Sequence, residues 1–493
     1  MNSPRLNPDD NAVSSHSNRP ILVLLTSHWV SMMGVALVTT AGFSWLFVLP
    51  IELRGRTSNP YIGIVVFLLI PIIFILGLLL LALGMFLARR RISREERDLL
   101  AAGDRQTYIR KFAIFFAVTT AANIVIGTQG TYRAVEHMET PQFCGQSCHV
   151  MKPEFTAHQN SPHARVECVE CHVAPGATGW LESKKGGTRQ FIDTVFKRVH
   201  YPIESAMESN RLVPASGTCE RCHWPQMFDA VKLRVIFHFK DDAANTQTQT
   251  VLMMLTGGGT LGGIHGKHLG PGVEIHYAAA DAKRQTIPLV EYRNRSTGET
   301  QTFLADGSTA RSVDRLPRYQ MQCVDCHNRP THAFQLPERA LDEAMGLGQI
   351  SPTLPFIKKK ALELLRAKYS SNEAASRTIP AALANFYQQG YPAIASQRSN
   401  DVSKAGSQIA AIYNRNVFPD LKVTWGTYPN NLGHTDFPGC FRCHDGSHST
   451  SDQKATIVQD CNACHEPLAI EEASPGVLKT LNLEDRITSL QEK

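Results

Sequence analysis

Twelve cysteines fall into six pairs, and every pair is followed at once by a histidine. The groups are Cys144/Cys148 with His149, Cys168/Cys171 with His172, Cys219/Cys222 with His223, Cys323/Cys326 with His327, Cys440/Cys443 with His444, and Cys461/Cys464 with His465. Five are C-x-x-C-H, the first is C-x-x-x-C-H, and no cysteine is left over. Two thiols at this spacing can add to the two vinyl groups of one porphyrin, and the next residue then lies under the ring as a ligand to iron. Zinc ribbons and disulfide frameworks also use paired cysteines, but neither needs a histidine directly after the second one every time. Six covalently bound c-type haems are therefore expected, and they become the expected staples of the fold.

The chain has 493 residues and a formal net charge of +6, neither of which points to nucleic acid. Its apolar residues are unevenly spread. Residues 21–49, 61–87 and 112–128 read as three membrane spans; the second holds an uninterrupted apolar core, and the third carries Thr119, Thr120 and Asn123. A cleaved signal peptide fits the first run poorly, because it is long, lacks a clear cleavage site and is followed by a second span. Arg89, Arg90, Arg91, Arg94, Arg97, Arg105, Arg110 and Lys111 place the loop between the second and third spans in the cytoplasm, together with residues 1–20. Everything after the third span then faces the periplasm, as c-type haem attachment requires. His28 in the first run could ligate a buried haem b, but no second membrane histidine accompanies it, so a satisfied or interfacial histidine is the better reading.

The expected fold is a membrane protein with an N-terminal three-helix transmembrane region, followed by a loop-rich, mainly α multihaem domain with a small β-rich insertion. Residues 131–335 hold the first four motifs. Within them, about 228–318 alternates in a strand-like way around Gly-rich turns such as GGGTLGGIHG. Residues 336–430 carry apolar positions at three- and four-residue intervals and read as a helical spacer. Residues 431–470 form a two-haem C-terminal module, and 471–493 a tail.

Several of these stretches resemble the NapC/NirT family of membrane-anchored quinol dehydrogenases. The resemblance rests on a membrane helix shortly before the first motif, on CHVM at that motif, on SPHARVECVECHVAPG around the second, and on CVDCHNRPTH around the fourth. It covers roughly residues 112–335. The insertion, two additional spans and last two motifs depart from the four-haem pattern and look like those of longer members that respire on metal or extracellular acceptors. The resemblance implies oxidation of membrane quinol, menaquinol or ubiquinol, beside the first haem, and either His149 or Met151 as that haem's ligand. It also implies a lysine and an acid on the helix after the second motif, for which Lys185 and Asp193 are the nearest matches. Glu154 is an alternative base.

Eleven histidines of the exported part lie outside the motifs: His137, His158, His163, His200, His238, His265, His268, His276, His332, His434 and His448. The family pattern implies His163, His200 and His332 as distal iron ligands; proximity to motifs or Gly-flanked exposure adds His268, His276, His434 and His448. Irons with two histidine ligands suit electron transfer, whereas a multihaem reductase keeps an open iron, often marked by a lysine in place of the motif histidine, and no C-x-x-C-K occurs. A quinol dehydrogenase handing electrons to a periplasmic cytochrome or reductase is thus favoured over a reductase of a small nitrogen or sulfur substrate. A haem-wire subunit fed by a protein partner stays open, as does a homo-oligomer or larger complex. The first expected outcome is stoichiometric: intact-mass measurement should show six haems, and a count of five with Cys144 and Cys148 unmodified would exclude use of the irregular motif.

Overall fold

The structure, a computed structural model, describes residues 25, 28–53, 69–91, 110, 113–121, 123–125, 129, 133, 140–147, 149–209, 213–224, 231–258 and 262–483. His137, Cys148, the side chain of His149 and the loop residues from 92 to 109 fall outside this description. The chain divides into two compact units, residues 1–140 with 173–189, and residues 141–172 with 190–493.

In the first unit, α1 (Trp29–Leu53) packs along α2 (Ile70–Arg91). Among the described residues one helix, Ile70–Arg90, is long and apolar enough to cross a bilayer, with a mean hydropathy of 2.9. Trp29–Trp45 and Ala113–Val125 are apolar helices shorter than the spans expected there, and each borders residues outside the description. Glycines set the α1–α2 approach: a Cβ on Gly34 would lie 2.5 Å from the Leu81 nitrogen, and one on Gly84 would lie 2.2 Å from that of Ser31. In lipid, where apolar burial gives little drive, such close backbone contact is a principal source of helix association. Asn123 donates its side-chain amide to the Ala36 carbonyl at 3.2 Å, satisfying a donor that lipid cannot. Just ahead of α1, His28 accepts the Val30 N–H on Nδ1 at 3.2 Å, the behaviour of a helix-end side chain.

The second unit opens with the first motif and α3 (Lys152–Gln159); after the second motif, α4 (Gly176–Val195) begins in the first unit and ends in the second. The insertion folds as two antiparallel sheets. β1 (Lys232–Phe239) pairs with β2 (Gln247–Met254); β3 (Val273–Ala278), β4 (Leu289–Asn294), β5 (Glu299–Ala305) and β6 (Arg318–Gln320) form the second sheet in the order β6-β3-β4-β5. Neither sheet is complete within the insertion. β7 (His448–Ser449), just after the fifth motif, pairs with β5, and β8 (His465–Glu472), which starts at the sixth motif histidine, pairs with β2. The C-terminal module and the insertion are therefore one structure, because edge strands left by the insertion are paired by strands that follow the last two motifs. The tail joins them, its Leu478 packing with Val251 of β2 and Ala469 of β8.

Between the sheets, α5 (Gly263–Leu269) starts at the Gly-rich turn. Gly257 and Gly263 both have positive φ, and a Cβ on Gly257 would lie 2.0 Å from the Gly262 carbonyl oxygen, so only glycine lets this turn close.

The expected helical spacer holds the largest buried apolar cluster among the described residues. In it α6 (Pro337–Gly346), α7 (Ile357–Arg366), α8 (Asn372–Gly390) and α9 (Ser399–Asn416) enclose one aliphatic core. Ala375, Ile379, Leu383 and Tyr387 recur every fourth residue down one side of α8, and Val402, Ala405, Ile409 and Ile412 recur at three- and four-residue intervals on α9. Ser371 caps α8 by accepting the Ala374 N–H, and Gly406 of α9 allows close approach to Pro380, where a Cβ would meet the Pro380 Cα at 2.9 Å. Leu383 is fully buried. Leu383→Ala should therefore destabilise this region by about 3 kcal/mol, read as a lower midpoint of helical thermal unfolding by circular dichroism with haem content unchanged.

Candidate haem sites

Each regular motif folds as one tight turn. Cys168–His172 and Cys323–Cys326 are single α turns, while Cys219–Arg221, Gly439–Arg442 and Cys461–Ala463 are 3-10 turns. The histidine N–H closes back on the carbonyl of the first cysteine at 2.7 Å for His223, 2.8 Å for His327 and 3.1 Å for His444. The first motif has one residue more, and the chain absorbs it as a π turn over Phe143–Ser147. Gly145 lets that wider turn lie against Phe155, since a Cβ there would meet the ring at 2.2 Å.

Among the described side chains, the motif histidines His172, His223, His327, His444 and His465 each face a second imidazole. Ring centroids are 6.1 Å apart for His172 and His332, 5.9 Å for His223 and His163, 6.2 Å for His327 and His265, 5.8 Å for His444 and His268, and 6.1 Å for His465 and His434. An iron between two imidazoles, with bonds of about 2 Å to each nitrogen and about 1 Å more to each ring centre, calls for roughly 6 Å. The side chains present therefore fit haem c held by two thiols and two imidazoles.

Contacts behind these rings fix which nitrogen is turned inward. Nδ1 of His332 lies 3.0 Å from the Glu154 carbonyl, that of His265 3.1 Å from the Thr256 carbonyl, that of His268 2.7 Å from the Ile264 carbonyl, and that of His444 3.2 Å from the Val458 carbonyl. With Nδ1–H donated to a carbonyl, Nε2 carries the free lone pair that ligates metal. Burial holds His172, His268 and His327 below the usual imidazole range and His332 down to about 4, so these rings stay in the neutral, ligating form.

Neighbouring motifs lie near one another in chain order. Cys144 hydrogen-bonds Cys168; Cys171 lies within electrostatic reach of Cys219 and Cys222, Cys323 of Cys219, Cys326 of Cys440 and Cys443, and Cys464 of Cys440. Burial pushes the Cys326 thiol up to about 11 and that of Cys443 to about 12.

Residues between the paired cysteines take part as well. Asp325 is buried, accepts hydrogen bonds from the Tyr277 hydroxyl and the Gln322 N–H, and pairs with Arg284 at 3.0 Å; burial, then Asp325, raise the Tyr277 hydroxyl above its usual range. Gln322 in turn accepts the Ala215 N–H at 2.9 Å, linking the approach to the third motif with the fourth. Glu154 is buried against Arg329 and His332, and Arg329 stacks on Tyr428 at 4.0 Å. Burial raises the Glu154 carboxyl, with Arg329 acting in the opposite sense.

Of the expected distal ligands, His163, His268, His332 and His434 face motif histidines. His265 does too, and was not among those expected; its signal was present as H-x-x-H, one helical turn apart, in a Gly-flanked helix. His200, exposed after α4, faces no motif histidine among the described residues. His276 sits on β3 opposite Glu291 and Gln320. His448 is buried with Nε2 2.7 Å from the Ile287 carbonyl and Nδ1 3.2 Å from the Ser447 hydroxyl, which commits both nitrogens to protein partners. Met151 ends a 3-10 turn directly before α3. Lys185 is exposed on α4, Asp193 lies half-buried near its end, and Glu154 stands in the buried cluster beside His332.

The family described as NapC/NirT cytochrome c, N-terminal region, matches residues 106–232. The cytochrome c-type protein ImcH of Geobacter sulfurreducens is 38% identical over 445 residues, which cover 89% of this chain and 87% of that protein. No solved structure matches. The facing pairs generate a spectroscopic expectation: His265→Ala should retain all six thioether-bound haems while one low-spin iron signal turns high-spin in electron paramagnetic resonance, and an unaltered low-spin count would remove His265 as a ligand.

Proposed function

That the chain belongs to the NapC/NirT cytochrome c family is the premise from which we propose a six-haem quinol dehydrogenase of the cytoplasmic membrane. In this reading it takes electrons from membrane quinol, menaquinol in an anaerobic respiration, and hands them to a periplasmic cytochrome or reductase. The observation that carries it is the chain-ordered meeting of the six motifs, joined to five imidazole pairs spaced for iron. Haem c, when bound, supplies a one-electron carrier whose potential follows from its axial ligands and surroundings.

The protein's own groups supply the rest. His172, His223, His327, His444 and His465 with their facing partners leave no room for a substrate at those irons, which disfavours a reductase of small nitrogen or sulfur compounds. Three spans with the basic loop in the cytoplasm put the first motif just outside the membrane, within reach of quinol in the outer leaflet. Quinol oxidation releases protons, so a base is needed beside the first motif. Glu154 is held by Arg329 and supports His332, a contact that favours a positioning role and leaves Asp193 as the better base. Lys185 would orient the quinol oxygen.

Asp193→Asn should keep six haems and normal reduction by dithionite while slowing reduction by a menaquinol analogue at least tenfold, a rise of about 1.4 kcal/mol in the barrier. Unchanged quinol kinetics would favour instead a wire subunit that takes electrons from a protein partner.

A further inference from the structure

Arg442 is the second residue between the paired cysteines of the fifth motif. Its Nε donates to the Gly439 carbonyl at 2.8 Å, Nη1 to the Arg284 carbonyl at 2.9 Å, and Nη2 to the Asp325 carbonyl at 2.6 Å. One guanidinium thus ties the fifth motif to the fourth motif and to the turn that carries Arg284. Asn431 adds a second tie by donating to the same Asp325 carbonyl at 3.0 Å. All three acceptors of Arg442 are backbone oxygens, and among the described residues it forms no ion pair, whereas the Asp325 carboxylate is already matched by Arg284. Of the charged groups acting on Cys326 and Cys443, Arg442 acts most strongly on both, ahead of Asp325 at the first and Asp445 at the second.

That charge lies within electrostatic reach of Cys326 and of Cys443, one thiol from each motif. α5 stands at the same junction, its His265 facing the fourth motif histidine and its His268 facing the fifth. Reduction adds an electron, and a fixed positive charge in a half-buried setting lowers the energy of the reduced state more than it would in water. We propose that Arg442 is a positioning residue for electron transfer at this junction: its fork locks the fourth and fifth sites together, and its unmatched charge raises the reduction potential of both. The four motifs of the family pattern and the two that extend it meet here, so the charge favours an electron at the junction while leaving the driving force between its two sites unchanged. The proposal rests on the reading of these motifs as haem sites, which intact mass checks separately in every variant.

Arg442→Gln and Arg442→Met remove the charge, while Arg442→Lys keeps it and loses the fork. Redox titration of the full-length purified protein, followed by absorbance and electron paramagnetic resonance, should show two of six midpoints shifted down in both neutral variants by a tenfold change in the one-electron equilibrium, about 59 mV. The lysine variant should keep those midpoints. Neutral variants that hold six haems and titrate as wild type overturn the proposal. If both neutral variants lose a haem, the lysine variant decides: six haems at wild-type midpoints support the assignment, and shifted midpoints or haem loss leave Arg442 a packing residue. Fewer than six haems in the wild type would instead fail the haem reading itself.

Discussion

An iron held between two imidazoles pins two points of a chain to one another within the length of two bonds, and the motif supplies only one of the two. In the proposed ligation the partner has to come from elsewhere, and its delivery ties distant segments of the haem-bearing unit together. His332 arrives from the segment after the fourth motif to meet His172 of the second; His268 arrives from the insertion to meet His444 of the fifth. Each pairing closes a long loop, and closing loops by ligation costs entropy that grows only slowly with loop length. A loop-rich chain can therefore be ordered by a few such points, with the helical core of α6 to α9 packing by ordinary aliphatic burial alongside.

This explains what could and could not be read from the residues alone. Attachment positions are local: six contiguous patterns carry them whole. The helices of the region from 336 to 430 are local as well, since every-fourth-residue periodicity is a property of one segment. Distal ligands are not local, because a histidine's role depends on what the fold brings opposite it. His276 lies on β3 in register with Glu291, the His448 ring is held by the Ile287 carbonyl, and nothing in their flanking sequence distinguishes them from His434. His265 and His268 lie one turn apart on the same side of α5, a helix within a stretch that reads from its residues only as a Gly-rich turn between strands. The strands β7 and β8 escaped for the same reason as the ligands, since short runs after the last two motifs become strands only through the edges that the insertion offers.

Charge inside the motifs was also illegible. Asp325 and Arg442 occupy variable positions between paired cysteines, where composition gives no hint of burial. In the fold one becomes the anion of a buried triad with Tyr277 and Arg284, and the other a cation held by three carbonyls. Buried charge left unmatched is expensive, so matched pairs are the usual outcome. An arginine solvated by backbone oxygens keeps its charge as a field acting on its neighbours, and neighbours here means two adjacent motifs.

The same logic connects the sites to the membrane. Saturated irons cannot bind substrate, so a chain of them has purpose only if electrons come in at one end and leave at the other. Chain-ordered proximity of the motifs makes the first and the sixth the two ends of the proposed path, and the first motif follows the apolar segment Ala113–Val125 in sequence. That first motif is also the irregular one, with its π turn, its Gly145 pressed on Phe155, and Met151 two residues beyond His149. The five regular motifs each close as one tight turn before a histidine that faces a second imidazole; the departure sits at the first motif, the end at which the proposed function has a diffusing, proton-releasing donor deliver electrons.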